Sequence, residues 1–251
     1  MCTPSILLAL LILWRRTLPF SFGRRDIRIE APILRRIVRF GTPIALQDLL
    51  VGLSFLVILA IVNTLGLTAS AGVGVAEKVC AFIMLIPLAF MQAMSAYVAQ
   101  NHGAGKNDRA ERGLRIAILV STAFGAVMFW AAFFHGDILC GIFARDADVI
   151  AAGYDYLRAY GIDCLLTCFL FCFIGFFNGL GKTGFVMLQG IASAFLIRIP
   201  VAWWMSRVTG RLFFIGLGIP CATVAEIIAC FVFYAHLRRK EKRITYGTEI
   251  I

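Results

Sequence analysis

The sequence predicts an all-α, polytopic membrane protein with six transmembrane helices, and three observations predict it. Of the 251 residues, 61% are apolar and 15% are charged, against roughly 45–50% and about 25% in soluble globular domains. Six stretches are each long enough to cross a hydrocarbon layer of roughly 30 Å, which takes about 20 apolar residues of helix. The excess of Lys and Arg, 24 against 14 Asp and Glu, is sorted along the chain rather than spread over it, as a fixed membrane orientation requires.

An apolar run from Ser5 to Trp14 comes first and is too short to count. Even from Met1 it rises only about 21 Å as a helix. Arg15 and Arg16 follow it instead of preceding it, so it lacks the positive leading region of a signal peptide. Residues 1–14 therefore read as the incomplete end of a preceding transmembrane helix. Residues 15–40 read as a basic linker whose eight arginines alternate with Ile, Leu, Val and Phe, a composition suited to anionic headgroups of membrane lipids. No stacking module or groove-reading helix accompanies the charge, so no nucleic-acid partner is expected.

The six helices then occupy 41–237, followed by a basic tail, 238–251. The first, 42–65, opens on Pro43 and carries Gln47 and Asp48 about one and a half turns in. The second, 73–98, contains Pro87; the third is 114–134. Ahead of the fourth, 158–178, the segment Ala144 to Arg158 places Val149, Ile150 and Tyr154 at helical spacing and predicts a separate short helix along the outer surface. The fifth, 185–206, holds Pro200 and, near its end, Trp203 and Trp204; the sixth, 213–236, opens on Phe213 and Phe214 and holds Pro220. These aromatics suit an interfacial belt, and Pro87, Pro200 and Pro220 each remove a backbone bond and bend their helices. Cys80, Cys164, Cys168, Cys172 and Cys230 lie in apolar runs and read as small buried side chains.

Orientation follows from the charges. Eighteen of the basic residues fall in the linker, the second and fourth connections and the tail, while Arg145, Arg158, Arg207 and Arg211 fall on the opposite side. Both ends of the six-helix unit are thus expected to be cytoplasmic.

Two motifs mislead. Gly179 to Thr183 reads GLGKT, but a phosphate loop needs a glycine where Phe176 stands and a strand before it. Gly72 and Gly74 begin a dinucleotide fingerprint that Glu77 breaks. His102, His135 and His236 are scattered near span ends and predict no metal cluster.

Ionisable groups inside the spans carry the functional signal, since an unpaired charge at mid-bilayer costs at least about 2.5 kcal/mol. Asp48, Glu77, Asp163, Arg198 and Glu226 qualify. Glu77 and Asp163 read as lying near outer ends. Arg198 and Glu226 lie at similar depths and are expected to pair. Gln47 and Asp48 either face a hydrated cavity or make local hydrogen bonds at a helix end. Gln47, Asp48, Arg198 and Glu226 are the substrate- or ion-binding candidates.

The order of segments resembles a known family. GTPIALQDLLVGLSF from Gly41, VNTLG from Val62, AGVGVAEK from Ala71, AQNHGAGKNDRAERG from Ala99, DADVIAAGYDYLR and FFNGLGKTG together resemble the multidrug and toxic compound extrusion (MATE) family. Gln100, Asn101, Gly103 and Gly105 form the most telling motif, structural in kind: glycines end one helix, and Asn107 or Asp108 can cap the next. The resemblance implies twelve spans in two lobes related by a pseudo-twofold axis, with this chain as the C-terminal lobe. It also implies a bacterial inner-membrane transporter, not an enzyme, that exchanges protons or sodium for a small organic cation by alternating access. A first-half lobe, or a missing N-terminal portion, would complete it. No cofactor is implied. The NorM-type carboxylate positions fall on Val51 and Phe169 here, so the resemblance is DinF-like, with the coupling aspartate in the other lobe. Two alternatives stay open on the residues alone: an inert or purely associating membrane fragment, and a flippase for lipid-linked oligosaccharide.

Overall fold

A computed structural model describes residues 30–248, with side chains as far as Arg239. The expected helix end at 1–14 and the linker up to residue 29 lie outside the described residues. The chain divides into two units, Met1–Arg39 and Phe40–Ile251. In the first, Ala31 to Arg39 are helical and their side chains exposed; the second holds the buried core and the candidate site.

The described residues form helices and contain no strand. These are α1 (Ala31–Asn63), α2 (Leu67–Ile83), α3 (Leu85–Gly103), α4 (Asn107–Phe134), α5 (Gly136–Gly141), α6 (Ala147–Gly179) and α7 (Thr183–Ser193), then a π-helical turn (Ala194–Arg198), α8 (Ile199–Val208), α9 (Leu212–Gly216) and α10 (Gly218–Thr248). Six of the resulting rods are long and apolar enough to cross a membrane: Ala31–Asn63, Leu67–Gly103, Asn107–Phe134, Ala147–Gly179, Thr183–Val208 and Leu212–Arg239. The protein is an all-α polytopic membrane protein, as its composition predicts.

Two boundaries differ from expectation. The first span starts at Ala31, so the end of the linker is helical, and Pro43 is accommodated inside the helix. The separate surface helix expected before span four is absent: α6 runs unbroken from Ala147 to Gly179. Asp146 caps it, its Oδ1 accepting from the Asp148 N–H at 2.9 Å, and no proline interrupts the join between its amphipathic start and its apolar body. The short helix in this region is α5, ahead of the predicted one.

α6 is the hub, touching α2, α3, α4, α5, α7, α9 and α10. Glycines let the neighbours come close. A methyl at Gly153 would stand 2.9 Å from the Gly72 carbonyl of α2, and one at Gly179 would stand 2.7 Å from the Ser95 carbonyl of α3. Tight crossings of this kind suit a membrane, where packing rather than hydrophobicity draws helices together. Cys80, Cys164, Cys168, Cys172 and Cys230 are buried free thiols, as their apolar surroundings predict. Trp203 and Trp204 are both exposed, in keeping with a belt.

Every proline expected to bend a span sits just beyond an irregularity. Met84 separates α2 from α3 before Pro87, the π turn precedes Pro200, and Leu217 separates α9 from α10 before Pro220. Each ring withholds the N–H that a regular helix would use.

The glycine motif ends α3. Gly105, at φ 71°, donates to the His102 carbonyl at 3.0 Å, and the Lys106 N–H donates to the Asn101 carbonyl at 2.8 Å. This is a Schellman stop, which needs a left-handed residue that glycine supplies. The Gln100 carbonyl accepts from Ala104 at 3.1 Å, and Asn101 Nδ2 donates to the Tyr97 carbonyl at 2.8 Å. Gly103 faces open space. The expected cap by Asn107 or Asp108 does not form: Lys106 holds the cap position without a side-chain bond, and Asn107 Oδ1 instead meets His102 Nδ1 at 2.8 Å. GLGKT repeats the same stop. Gly181, also at φ 71°, donates to Asn178, and Lys182 donates to Phe177, at 3.0 and 2.8 Å.

Candidate functional site

One cavity of about 290 Å³ gathers Asp48, Asp163, Arg198 and Glu226; Glu77, half-buried on α2, is not in its lining. α1 contributes Gln47, Asp48 and Phe55; α6 contributes Asp163, Thr167 and Asn178; the π turn contributes Arg198; α10 contributes Thr223 and Glu226. Met84, Leu88 and Met91, at the break between α2 and α3, supply an apolar wall. All four sequence candidates, Gln47, Asp48, Arg198 and Glu226, therefore line the same space.

Their partners differ from those expected. Arg198 and Glu226, 6% and 7% exposed, form no ion pair; the ion pair among the described residues is Arg238 with Glu111 at 2.5 Å. Arg198 turns toward α1 instead. Its Nη1 donates to Ser54 Oγ at 3.1 Å, and its guanidinium lies 4.6 Å from the centre of the Phe55 ring, a cation–π contact. Ser54 Oγ in turn donates to the Val51 carbonyl at 2.6 Å. Glu226 Oε1 accepts from Ser193 Oγ. The expected pair is replaced by local partners: Ser54 and Phe55 of α1 hold the guanidinium, and Ser193 holds the Glu226 carboxylate.

Gln47 packs over Gly190 of α7, where a methyl would stand 2.7 Å from its Nε2. Asp48 is exposed at the cavity's rim. Gly190→Ala should push Gln47 aside at little cost to stability, because the obstructing group is the end of a flexible side chain and alanine favours helix over glycine by about 1 kcal/mol. We expect an unchanged or slightly raised melting temperature together with a several-fold change in affinity for a cavity ligand, read by thermal melting and dye binding. A large loss of stability would contradict this packing.

Asp163 is not among the sequence candidates, and it is the most enclosed carboxylate among the described residues, 3% exposed. Thr167 Oγ1 donates to its Oδ2 at 2.8 Å, and Thr223 Oγ1 donates to its Oδ1 at 2.5 Å, joining α6 to α10. A span four that begins at residue 158 places Asp163 near an outer end. In a helix that starts at Ala147 and has 33 residues, Asp163 is at the midpoint. The signal that could have found it is the Asp163–Thr167 spacing of four, one helical turn between a carboxylate and a hydroxyl donor. Among the remaining polar groups, Asn178 Oδ1 and Arg198 Nε are buried with no partner.

A family model described as MatE matches residues 43–204. The chain belongs to the MatE family. Among curated relatives, it is 24% identical over 253 residues to the "Probable multidrug resistance protein YoeA" of Bacillus subtilis, covering 96% of this chain and 53% of that protein. It is 25% identical to the "Multidrug export protein MepA" of Staphylococcus saprophyticus, covering 83% and 46%. Among solved structures, it superposes with a TM-score of 0.82 and 19% identity on the outward-facing conformation of a multidrug resistance MATE family transporter, covering 95% of this chain and 54% of that one. The MatE chain spans about half the length of the curated relatives it matches.

Proposed function

We propose that the MatE chain is the C-terminal six-helix lobe of a secondary active multidrug exporter in the bacterial inner membrane. It exports small organic cations in exchange for protons or sodium by alternating access, with both ends of the lobe cytoplasmic and a first-half lobe facing its cavity. The observation that carries this reading is the convergence of Asp48, Asp163 and Glu226 on one cavity from α1, α6 and α10. Carboxylates held in a membrane interior attract cationic solutes or exchange protons. The two NorM-type positions are uncharged here: Val51 lines the cavity, and Phe169 packs at a tilt against Phe231, ring centres 5.6 Å apart. In this lobe the cavity carboxylates are Asp48, Asp163 and Glu226 instead, and our reading puts the main coupling aspartate in the other lobe, as in the DinF-like branch.

Coexpression tests it. This chain and a matching first-half lobe, produced together in drug-sensitive bacteria, should restore efflux of a cationic dye, and Glu226→Gln should return efflux close to the empty-vector level. No gain over empty vector, with both lobes inserted and associated, would overturn the reading.

A further inference from the structure

We infer that Arg198 receives an anionic group of the transported molecule, so that the cavity favours zwitterions over pure cations. The inference rests on the export reading and narrows its substrate class.

Arg198 is a buried cation with no carboxylate in direct contact among the described residues. Three carboxylates line the same cavity, yet none of them stands within ion-pair distance of it among the described residues. Asp163 is instead held by two threonine hydroxyls, and Glu226 by Ser193. Arg198, Asp163 and Glu226 thus line one cavity, each bonded to hydroxyls and not to one another. A molecule with a cationic and an anionic end can meet both kinds of group; a pure cation leaves the free N–H groups of Arg198 unpaired.

The guanidinium is also only partly used. Its Nη1 bonds Ser54 at 3.1 Å and its face rests on Phe55, which fixes the plane of the group. Its Nε is buried without a partner. An unsatisfied buried donor is costly, and a planar guanidinium presents its N–H groups in the geometry that fits the two oxygens of a carboxylate. The π turn that carries Arg198 has its own support: a methyl at Gly218 would stand 2.8 Å from the Arg198 carbonyl, so α10 packs directly against the backbone that presents the side chain. The competing account is that Arg198 only ties the π turn to α1 through Ser54 and Phe55.

A matched pair of dyes separates the two. Tetramethylrhodamine carries a free carboxylate beside its cationic ring system, and its methyl ester carries the same ring system without the anion. Binding of each to the chain in lipid nanodiscs is read by fluorescence polarisation. The free acid should bind about tenfold tighter than the ester, the scale of a hydrogen bond to a charged group. Arg198→Gln should remove that preference by weakening the acid and not the ester, whose cation loses a like-charged neighbour, and Arg198→Lys, which keeps the charge but not the planar fork, should retain part of it. Ser54→Ala, which cuts the tie to α1 and keeps the guanidinium, should preserve the preference. Equal binding of acid and ester by the unaltered chain overturns the inference alone, as does a parallel loss of both dyes in Arg198→Lys. Failure of the unaltered chain to bind either dye overturns the cavity reading beneath it as well.

Discussion

Asp163→Asn is expected to abolish dye efflux in the two-lobe assay while the protein remains folded. The carboxylate accepts from Thr167 at 2.8 Å on one oxygen and from Thr223 at 2.5 Å on the other; an amide keeps one of these acceptors and puts an NH2 in place of the other, which the Thr223 hydroxyl can accept from while it donates to the Ile219 carbonyl. The charge and the capacity to exchange a proton disappear. Asp163→Ala goes further and removes both acceptor oxygens. The Thr223 hydroxyl has a second acceptor at hand, the Ile219 carbonyl at 3.2 Å, so the stability lost through unmet hydrogen bonds should stay within about 1–3 kcal/mol. The two variants therefore separate roles: melting temperature should fall for alanine and hardly for asparagine, whereas efflux should fall for both. Wild-type efflux by Asp163→Asn would show that the carboxylate is not needed and that Asp163 only joins α6 to α10.

The largest structural effect is expected from Gly175→Val. A methyl at Gly175 would overlap the Met91 carbonyl and stand 2.9 Å from Met94 Cβ. Gly179, one turn on, is in the same situation against Ser95. The obstructing atoms include main chain, which cannot rotate away, so α3 would have to withdraw from α6. Overpacking commonly costs about 1–3 kcal/mol, and a clash with backbone in the most connected helix should exceed that range. The variant should fail to accumulate in the membrane, or melt far below the unaltered chain in detergent. Gly184→Val is the control, since nothing lies within 4 Å of the position its Cβ would take. Equal melting temperatures for Gly175→Val and the unaltered chain would contradict the close approach of α3 and α6.

The spans are legible in the sequence because a bilayer imposes a coarse rule on composition and length, and that rule survives local irregularity. Pro87, Pro200 and Pro220 mark the interruptions for a comparably simple chemical reason, a missing donor. The glycine stops at Gly105 and Gly181 are legible as helix ends, and the context of GLGKT keeps it from being taken for a phosphate loop. Finer features are not legible. Val149, Ile150 and Tyr154 show helical spacing, but spacing does not say whether that helix ends before span four or runs into it. Misplacing that boundary moves Asp163 from the midpoint of α6 to its end and removes it from the candidates. The Arg198–Glu226 pairing fails for a related reason: depth along a span can be counted from sequence, whereas the partner a side chain takes depends on which helix packs beside it, and here Ser54 and Phe55 of α1 take Arg198.

The π turn at Ala194–Arg198 holds one residue more than the regular winding accommodates, and in an α-helix each residue advances the direction of the side chains by roughly 100°. The stretch beyond the turn, including Trp203 and Trp204, thus has its azimuth set by that surplus residue. Span five behaves as two regular rods joined by an angular offset, the earlier one phased to seat Gln189 and Ser193 against α10 and the later one phased to turn its tryptophans outward. One helix can therefore satisfy two surroundings that no single uninterrupted phase would serve.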